Sequence, residues 1–265
     1  MNDITNNTAS EASSPLLTVS GPRATLRLNR PREHNRLDPT DLNILRDHVA
    51  TVESDPSLRV FVLTGTGEKS FCSGYTLGAL TEMKTESSKD DSTLEQVIDR
   101  IEALRIPTIC ALNGSVYGGG TDLALACDFR IGVTGSRMVV PAAKIGLHYY
   151  PTGMRRFVER IGVAAAKRVF LIGEAIPCEE MLRVGYLDEL VAPAELVART
   201  DALAATLCGN APVINAMKGH LNRLASGEFD YEAILRDYEA SVASPDLKEG
   251  LAALKEKRAP KFKDF

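Results

Sequence analysis

A chain of 265 residues with 44% hydrophobic and 25% charged residues has the balance of a globular protein, and is long enough to bury a large core without disulfide or metal staples. Its 31 Lys+Arg against 35 Asp+Glu give a formal charge of −4, which argues against a dedicated nucleic-acid binder. No apolar run approaches the roughly 20 residues that a membrane helix needs. The five cysteines, Cys72, Cys110, Cys127, Cys178 and Cys208, are odd in number and form no C-x-x-C pair, so they read as small buried apolar side chains in a reducing compartment. His34, His48, His148 and His220 share no helix turn, so no metal site is expected.

Residues 1–15 (MNDITNNTASEASSP) lack the basic start and apolar middle of a secretory signal and read as a disordered tail, leaving the cytoplasm as the expected address. LLTVSG and ATLRLNR read as two strands turning at Gly21-Pro22. PTDLNILRDHVATVESD (39–55) places Leu42, Leu45, Val49 and Val52 at helical spacing. RVFVLTG (59–65) is a continuous apolar run, as in a strand covered on both faces. A polar loop over 84–93 leads to a helix at 94–104, a buried strand at 107–114, a short helix at 122–128, and strands in DFRIGV and SRMVV. After Pro151 strand signals become rare. Helices are expected in 154–162, 164–173, 178–185, 195–209, 213–226, 230–244 and 246–258, with Gly or Pro between most of them. The pattern is an α/β core followed by a helical region.

Three glycine motifs stand out. Gly65-Thr66-Gly67-Glu68-Lys69-Ser70 resembles the start of a dinucleotide fingerprint, but the third glycine is Ser70 and no helix follows, so a plain turn is the better reading. Phe71-Cys72-Ser73-Gly74-Tyr75 lets the backbone bend sharply toward a ligand. Asn113 to Asp122 (NGSVYGGGTD) sets three consecutive glycines before a helix. Either that helix start faces an anion or oxyanion, or the glycines permit tight helix-on-strand packing with Asp122 favouring the helix dipole.

Together the second and third motifs, about 40 residues apart, closely resemble the enoyl-CoA hydratase/isomerase (crotonase) family. Arg30-Pro31 with Asn35-Arg36-Leu37, the stretch from Pro141 through Ile145-Gly146-Leu147 to Gly162, and Glu256-Lys257-Arg258 with Pro260 and Phe262 agree with it. The resemblance implies a crotonase-like ββα spiral core over 16–192. It also implies a C-terminal helical region over 193–265 that builds trimers or hexamers and closes over the acyl-CoA site. By motif position, the backbone N–H groups of Tyr75 and Gly119 form the oxyanion hole for a thioester enolate, where each such donor supplies about 3–4 kcal/mol.

Two departures qualify what the resemblance implies. The first catalytic carboxylate becomes the shorter Asp122, and the second glutamate becomes Ala142, so two-glutamate hydration lacks a partner. His148, Tyr149 and Tyr150 are the candidates to fill the gap. Arg30, Arg32, Arg36, Ser73, Lys257 and Phe262 are the expected CoA-binding positions. The expected protein is a lyase or isomerase acting on an acyl-CoA, with no cofactor beyond the CoA of its substrate. C–C hydrolase, decarboxylase, thioesterase and non-catalytic acyl-CoA-binding readings stand as alternatives.

Overall fold

The structure is a computed structural model and describes residues 14–76, 78 and 93–262. The expected tail, apart from residues 14 and 15, and the polar loop, apart from residue 93, lie outside the described residues.

β1 (Leu16–Ser20) and β2 (Arg23–Leu28) form an antiparallel hairpin about Gly21, whose φ of 54° is the left-handed turn conformation that glycine adopts freely. α1 (Pro39–Ser54) opens on a capping box, in which the Asp38 carboxylate accepts the Asp41 N–H and the Asp41 carboxylate accepts the Asp38 N–H. Then a ββα unit repeats. β3 (Val60–Gly65), β4 (Ser70–Cys72) and α2 (Leu94–Glu102) are followed by β5 (Thr108–Leu112), β6 (Ser115–Tyr117) and α3 (Gly119–Leu125), and then by β7 (Phe129–Val133) and β8 (Arg137–Val139).

Successive strands of each unit enter different sheets. With β9 (Ile176–Pro177) and β10 (Glu189–Val191), the two orders are β1-β2-β3-β5-β7-β10 and β4-β6-β8-β9. β3 shows why its sequence is apolar throughout. Phe61 and Leu63 enter the main core with Leu42, Leu45 and Val49 of α1, and Val60 and Val62 point the other way. That second face is covered by Leu196, Ala204 and Leu207 of α6 (Leu196–Gly209).

Between β8 and α6 along the chain come α4 (Pro151–Lys167) and α5 (Cys178–Arg183). The expected break between segments 154–162 and 164–173 is present within α4, where Gly162 (φ 76°, ψ 158°) leaves the helical conformation, and the second segment runs on into a wider π turn over Arg168–Ile172. The expectation of almost purely helical structure after Pro151 needs correcting, since β9 and β10 are strands. They are two and three residues long, too short for any alternation to show, and β10 gains its identity by pairing in parallel with β7.

α7 (Val213–Ala225), α8 (Tyr231–Ala243) and α9 (Pro245–Glu256) complete the chain. α7 is pinned to the core by Lys218, whose ammonium donates to the Ile106 carbonyl at 2.9 Å and pairs with Asp128 at 2.9 Å. Among the described residues no helix is long and apolar enough to cross a membrane. All five cysteines are free thiols, and burial pushes that of Cys72 up to about 12.

Candidate active site

The repeat brings the ends of β4 and β6 side by side, because these strands pair in parallel. The chain leaving β4 runs past Leu37. The Leu37 N–H donates to the Gly74 carbonyl at 2.9 Å, and the Thr76 N–H donates to the Leu37 carbonyl at 2.9 Å. A parallel bridge of this kind uses the peptide groups flanking Tyr75 and directs the Tyr75 N–H to the opposite side. The chain leaving β6 turns at Gly118 (φ 51°, ψ −128°) and starts α3 at once. The Gly119 N–H is the first of that helix and has no acceptor among the described residues.

Gly74 joins the two loops. Its φ is +91°, and a Cβ built on it would lie 2.9 Å from the Tyr117 carbonyl oxygen and 3.3 Å from the Gly119 nitrogen. A side chain at 74 would therefore stand in front of the Gly119 amide. The neighbouring glycines serve packing. A Cβ on Gly120 would lie 2.7 Å from the Cβ of Cys72, and one on Gly114 2.5 Å from the Lys69 backbone. Of the purposes open to the NGSVYGGGTD stretch, tight packing is thus met at Gly114 and Gly120. The dinucleotide-like Gly65 is a contact of another kind, since a Cβ there would sit 2.7 Å from each of Asn35 Nδ2, Asn113 Oδ1 and the Phe71 carbonyl oxygen.

One turn into α3, Asp122 is fully buried and forms a two-pronged pair with Arg156 of α4 (Nε to Oδ1 2.9 Å, Nη2 to Oδ2 2.7 Å). Arg156 is itself fully buried, and its Nη1 reaches Asp99 at 2.7 Å and Glu102 at 3.0 Å on α2. Burial alone would weaken this cation's hold on its proton, but the hydrogen bonds and charge of Asp122, Asp99 and Glu102 raise its pKa well above the usual arginine value. The Tyr150 hydroxyl donates to Asp122 Oδ2 at 2.6 Å. Burial first, then the neighbouring Tyr149 and the Asp122 charge, push the Tyr150 hydroxyl far above the ordinary phenol range. Tyr149 stacks on Tyr150 with ring centroids 4.6 Å apart, and its hydroxyl donates to the Gly118 carbonyl at 3.4 Å. Gly153 makes room for the pair, since a Cβ there would lie 2.6 Å from both rings.

Of the three candidates beside Asp122, the structure therefore brings Tyr149 and Tyr150 to it. His148 is exposed, with ring Nδ1 2.7 Å from the Tyr149 carbonyl oxygen. Ala142 is a buried methyl at the edge of the main core. Among the CoA-binding expectations, Arg36 and Ser73 meet at Glu33, the residue that follows Arg32. The Ser73 N–H donates to the His34 carbonyl at 2.9 Å, its hydroxyl donates to the Glu33 carbonyl at 3.2 Å, and Arg36 pairs with Glu33. Arg30 is engaged inward, at 3.0 Å from Asp38 and 3.1 Å from Asp41 in the capping box of α1. Lys257 ends α9 in a left-handed conformation (φ 52°), and Phe262 folds back to 3.8 Å from the Cβ position of Gly250.

Arg156 escaped the sequence reading. Its signal was a charge in the wrong place, because it shares the buried face of α4 with Gly153, Phe157 and Ile161. A cation at helical spacing on an apolar face must have partners waiting for it.

Paired strands split between two sheets, closed by a glycine-built loop crossing, define the crotonase fold. Residues 23–265 match the sequence profile described as Enoyl-CoA hydratase/isomerase. The short-chain-enoyl-CoA hydratase of Clostridium acetobutylicum is 30% identical over 253 residues, covering 94% of this chain and 97% of the relative. The (E)-benzylidenesuccinyl-CoA hydratase of Thauera aromatica is 34% identical over 263 residues, covering 93% of this chain and 98% of the relative. The crystal structure of an enoyl-CoA hydratase from Bacillus anthracis superposes with a TM-score of 0.86 at 28% identity, covering 95% of this chain and 99% of that one. The chain belongs to the enoyl-CoA hydratase/isomerase family, which is a family of enzymes.

Proposed function

We propose that the protein acts on an acyl-CoA thioester and holds the enolate oxygen with the N–H groups of Tyr75 and Gly119. The observation that carries this reading is the close approach of Gly74 to the Gly119 amide, which only a residue without a side chain allows. Two donors aimed at one oxygen stabilise the charge that forms there, and the start of α3 adds its dipole.

Proton movement runs through Tyr150 and Asp122. As the α C–H bond breaks, its electron pair moves to the thioester oxygen and its proton passes to Tyr150 Oη. The phenolic proton leaves at the same moment for Asp122 Oδ2, 2.6 Å away. The concerted transfer avoids a free phenolate, which the burial of Tyr150 disfavours. With Ala142 in place of a second carboxylate, the site suits chemistry with a single proton relay. Isomerisation, C–C cleavage, decarboxylation and thioester hydrolysis fit that description better than two-carboxylate hydration does. Arg32, Arg36 and Ser73 form the rim that takes the CoA phosphates, with Lys257 and Phe262 contributed from a neighbouring subunit.

Incubation with straight-chain, branched, aromatic and β-keto acyl-CoAs in deuterium oxide tests the reading. Uptake at the α-carbon is expected for at least one of them, and Asp122→Asn is expected to reduce it about 100-fold or more. Tight binding of acyl-CoA with neither exchange nor turnover would make the protein a binding module instead.

Exposed Met217, Leu221, Leu251 and Leu254 on α7 and α9 support a trimer or a pair of trimers, in which other copies cover these side chains. Sedimentation equilibrium should give a mass of three or six chains, and a monomer at micromolar concentration would overturn this assignment.

A further inference from the structure

We infer that Arg156 is a positioning residue for the reaction, one that acts through Asp122 rather than on substrate. This rests on the proton relay proposed above. Three elements converge on this one guanidinium: α2 through Asp99 and Glu102, α3 through Asp122, and the start of α4 through Thr152, whose hydroxyl oxygen is 3.3 Å from Nη2. The guanidinium fork fixes both Asp122 oxygens in a plane, so the oxygen that accepts from Tyr150 has one available direction.

The network reaches the oxyanion site by a second route. α2 begins at Leu94, whose Cδ2 lies 2.3 Å from the position a Gly119 Cβ would take, so its side chain closes directly over that residue. Asp99 and Glu102 lie further along the same helix. Arg156 therefore ties the helix above the Gly119 amide to the carboxylate that serves Tyr150, and proton relay and oxyanion donor are held in one frame. The charged and titratable groups around the pair are Asp99 and Glu102 on α2, Arg155 on α4 (bound to Glu102 and Glu159), and Tyr149, Tyr150 and Tyr186 about Asp122. A general acid–base role for Arg156 itself is excluded by its raised pKa and complete burial.

The test is steady-state kinetics on whichever acyl-CoA the exchange screen selects, with Arg156→Lys, Arg156→Met, Asp122→Asn and the double variant Asp122→Asn with Arg156→Met. Arg156→Met is expected to lower kcat about 100-fold while KM stays within about threefold, because the loss is one of placement. Arg156→Lys keeps the charge without the fork and should restore part of the rate. In the Asp122→Asn background, Arg156→Met should cost little further activity.

Equal losses in both backgrounds would overturn the inference, as would a wild-type kcat in Arg156→Lys. If Arg156→Met does not fold, Arg156→Lys alone decides. Failure of the relay itself shows separately, as full α-exchange in Asp122→Asn.

Discussion

Gly74→Ala should lower turnover about 100- to 1,000-fold while leaving most of the fold in place. The added methyl would stand 3.3 Å from the Gly119 nitrogen and 2.9 Å from the Tyr117 carbonyl oxygen, at a residue whose φ is +91°. The two loops must then part or the backbone at 74 must rotate, and either change misplaces a donor. Loss of one such donor costs about 3–4 kcal/mol of transition-state stabilisation, or roughly 100- to 1,000-fold in kcat. The left-handed conformation adds about 1–2 kcal/mol of strain to the folded state. Kinetics alongside a thermal melt separate the two effects. A kcat within severalfold of the parent would mean that the two amides do not stabilise the reacting oxygen.

Arg156→Met should be the most damaging single substitution for stability within the buried charge network. It leaves Asp122, which has no exposed surface, with the Tyr150 hydroxyl at 2.6 Å as its remaining side-chain partner among the described residues. Removing one member of a buried ion pair costs about 3–5 kcal/mol, because the other charge is left uncompensated. At roughly 2–4 °C per kcal/mol for a chain of about this size, the melting temperature should fall by about 10 °C. Asp122→Asn should cost much less, since Arg156 keeps Asp99 at 2.7 Å and Glu102 at 3.0 Å, and the new amide oxygen still accepts from Tyr150. Denaturation midpoints measure the contrast. Equal losses, or a larger loss in Asp122→Asn, would show that the pair is not the energetic centre of this network.

Local features were the legible part of this molecule. α1 could be bounded to within a residue because Pro39 and its apolar spacing lie in one stretch, and β3 could be read as buried on both faces because its apolar run is unbroken. The glycine motifs announced the loop crossing for the same reason, since a missing side chain is visible wherever it occurs. Arg156 was hidden because its partners Asp99, Glu102 and Asp122 come from two other helices, and nothing local links them. Arg30 shows the converse. Read as a cation for phosphate, it is engaged by Asp38 and Asp41, two carboxylates that the capping pattern of α1 had already placed beside it. Which of His148, Tyr149 and Tyr150 turns inward depended on the space left by Gly153, a residue from the next turn of chain. β10 was beyond reach because three residues carry no period, and its place is set by β7 more than fifty residues earlier.

On the proposed reading the anion is held by peptide groups, and that has an evolutionary consequence. Substitutions of surrounding side chains leave those dipoles untouched, so the pocket walls can drift toward new acyl groups while the charge-bearing step survives. Only the few positions that tolerate no Cβ, Gly74 foremost, are closed to such drift. A methyl at 142 and two stacked phenols at 149 and 150 are the kind of divergence that this division of labour permits.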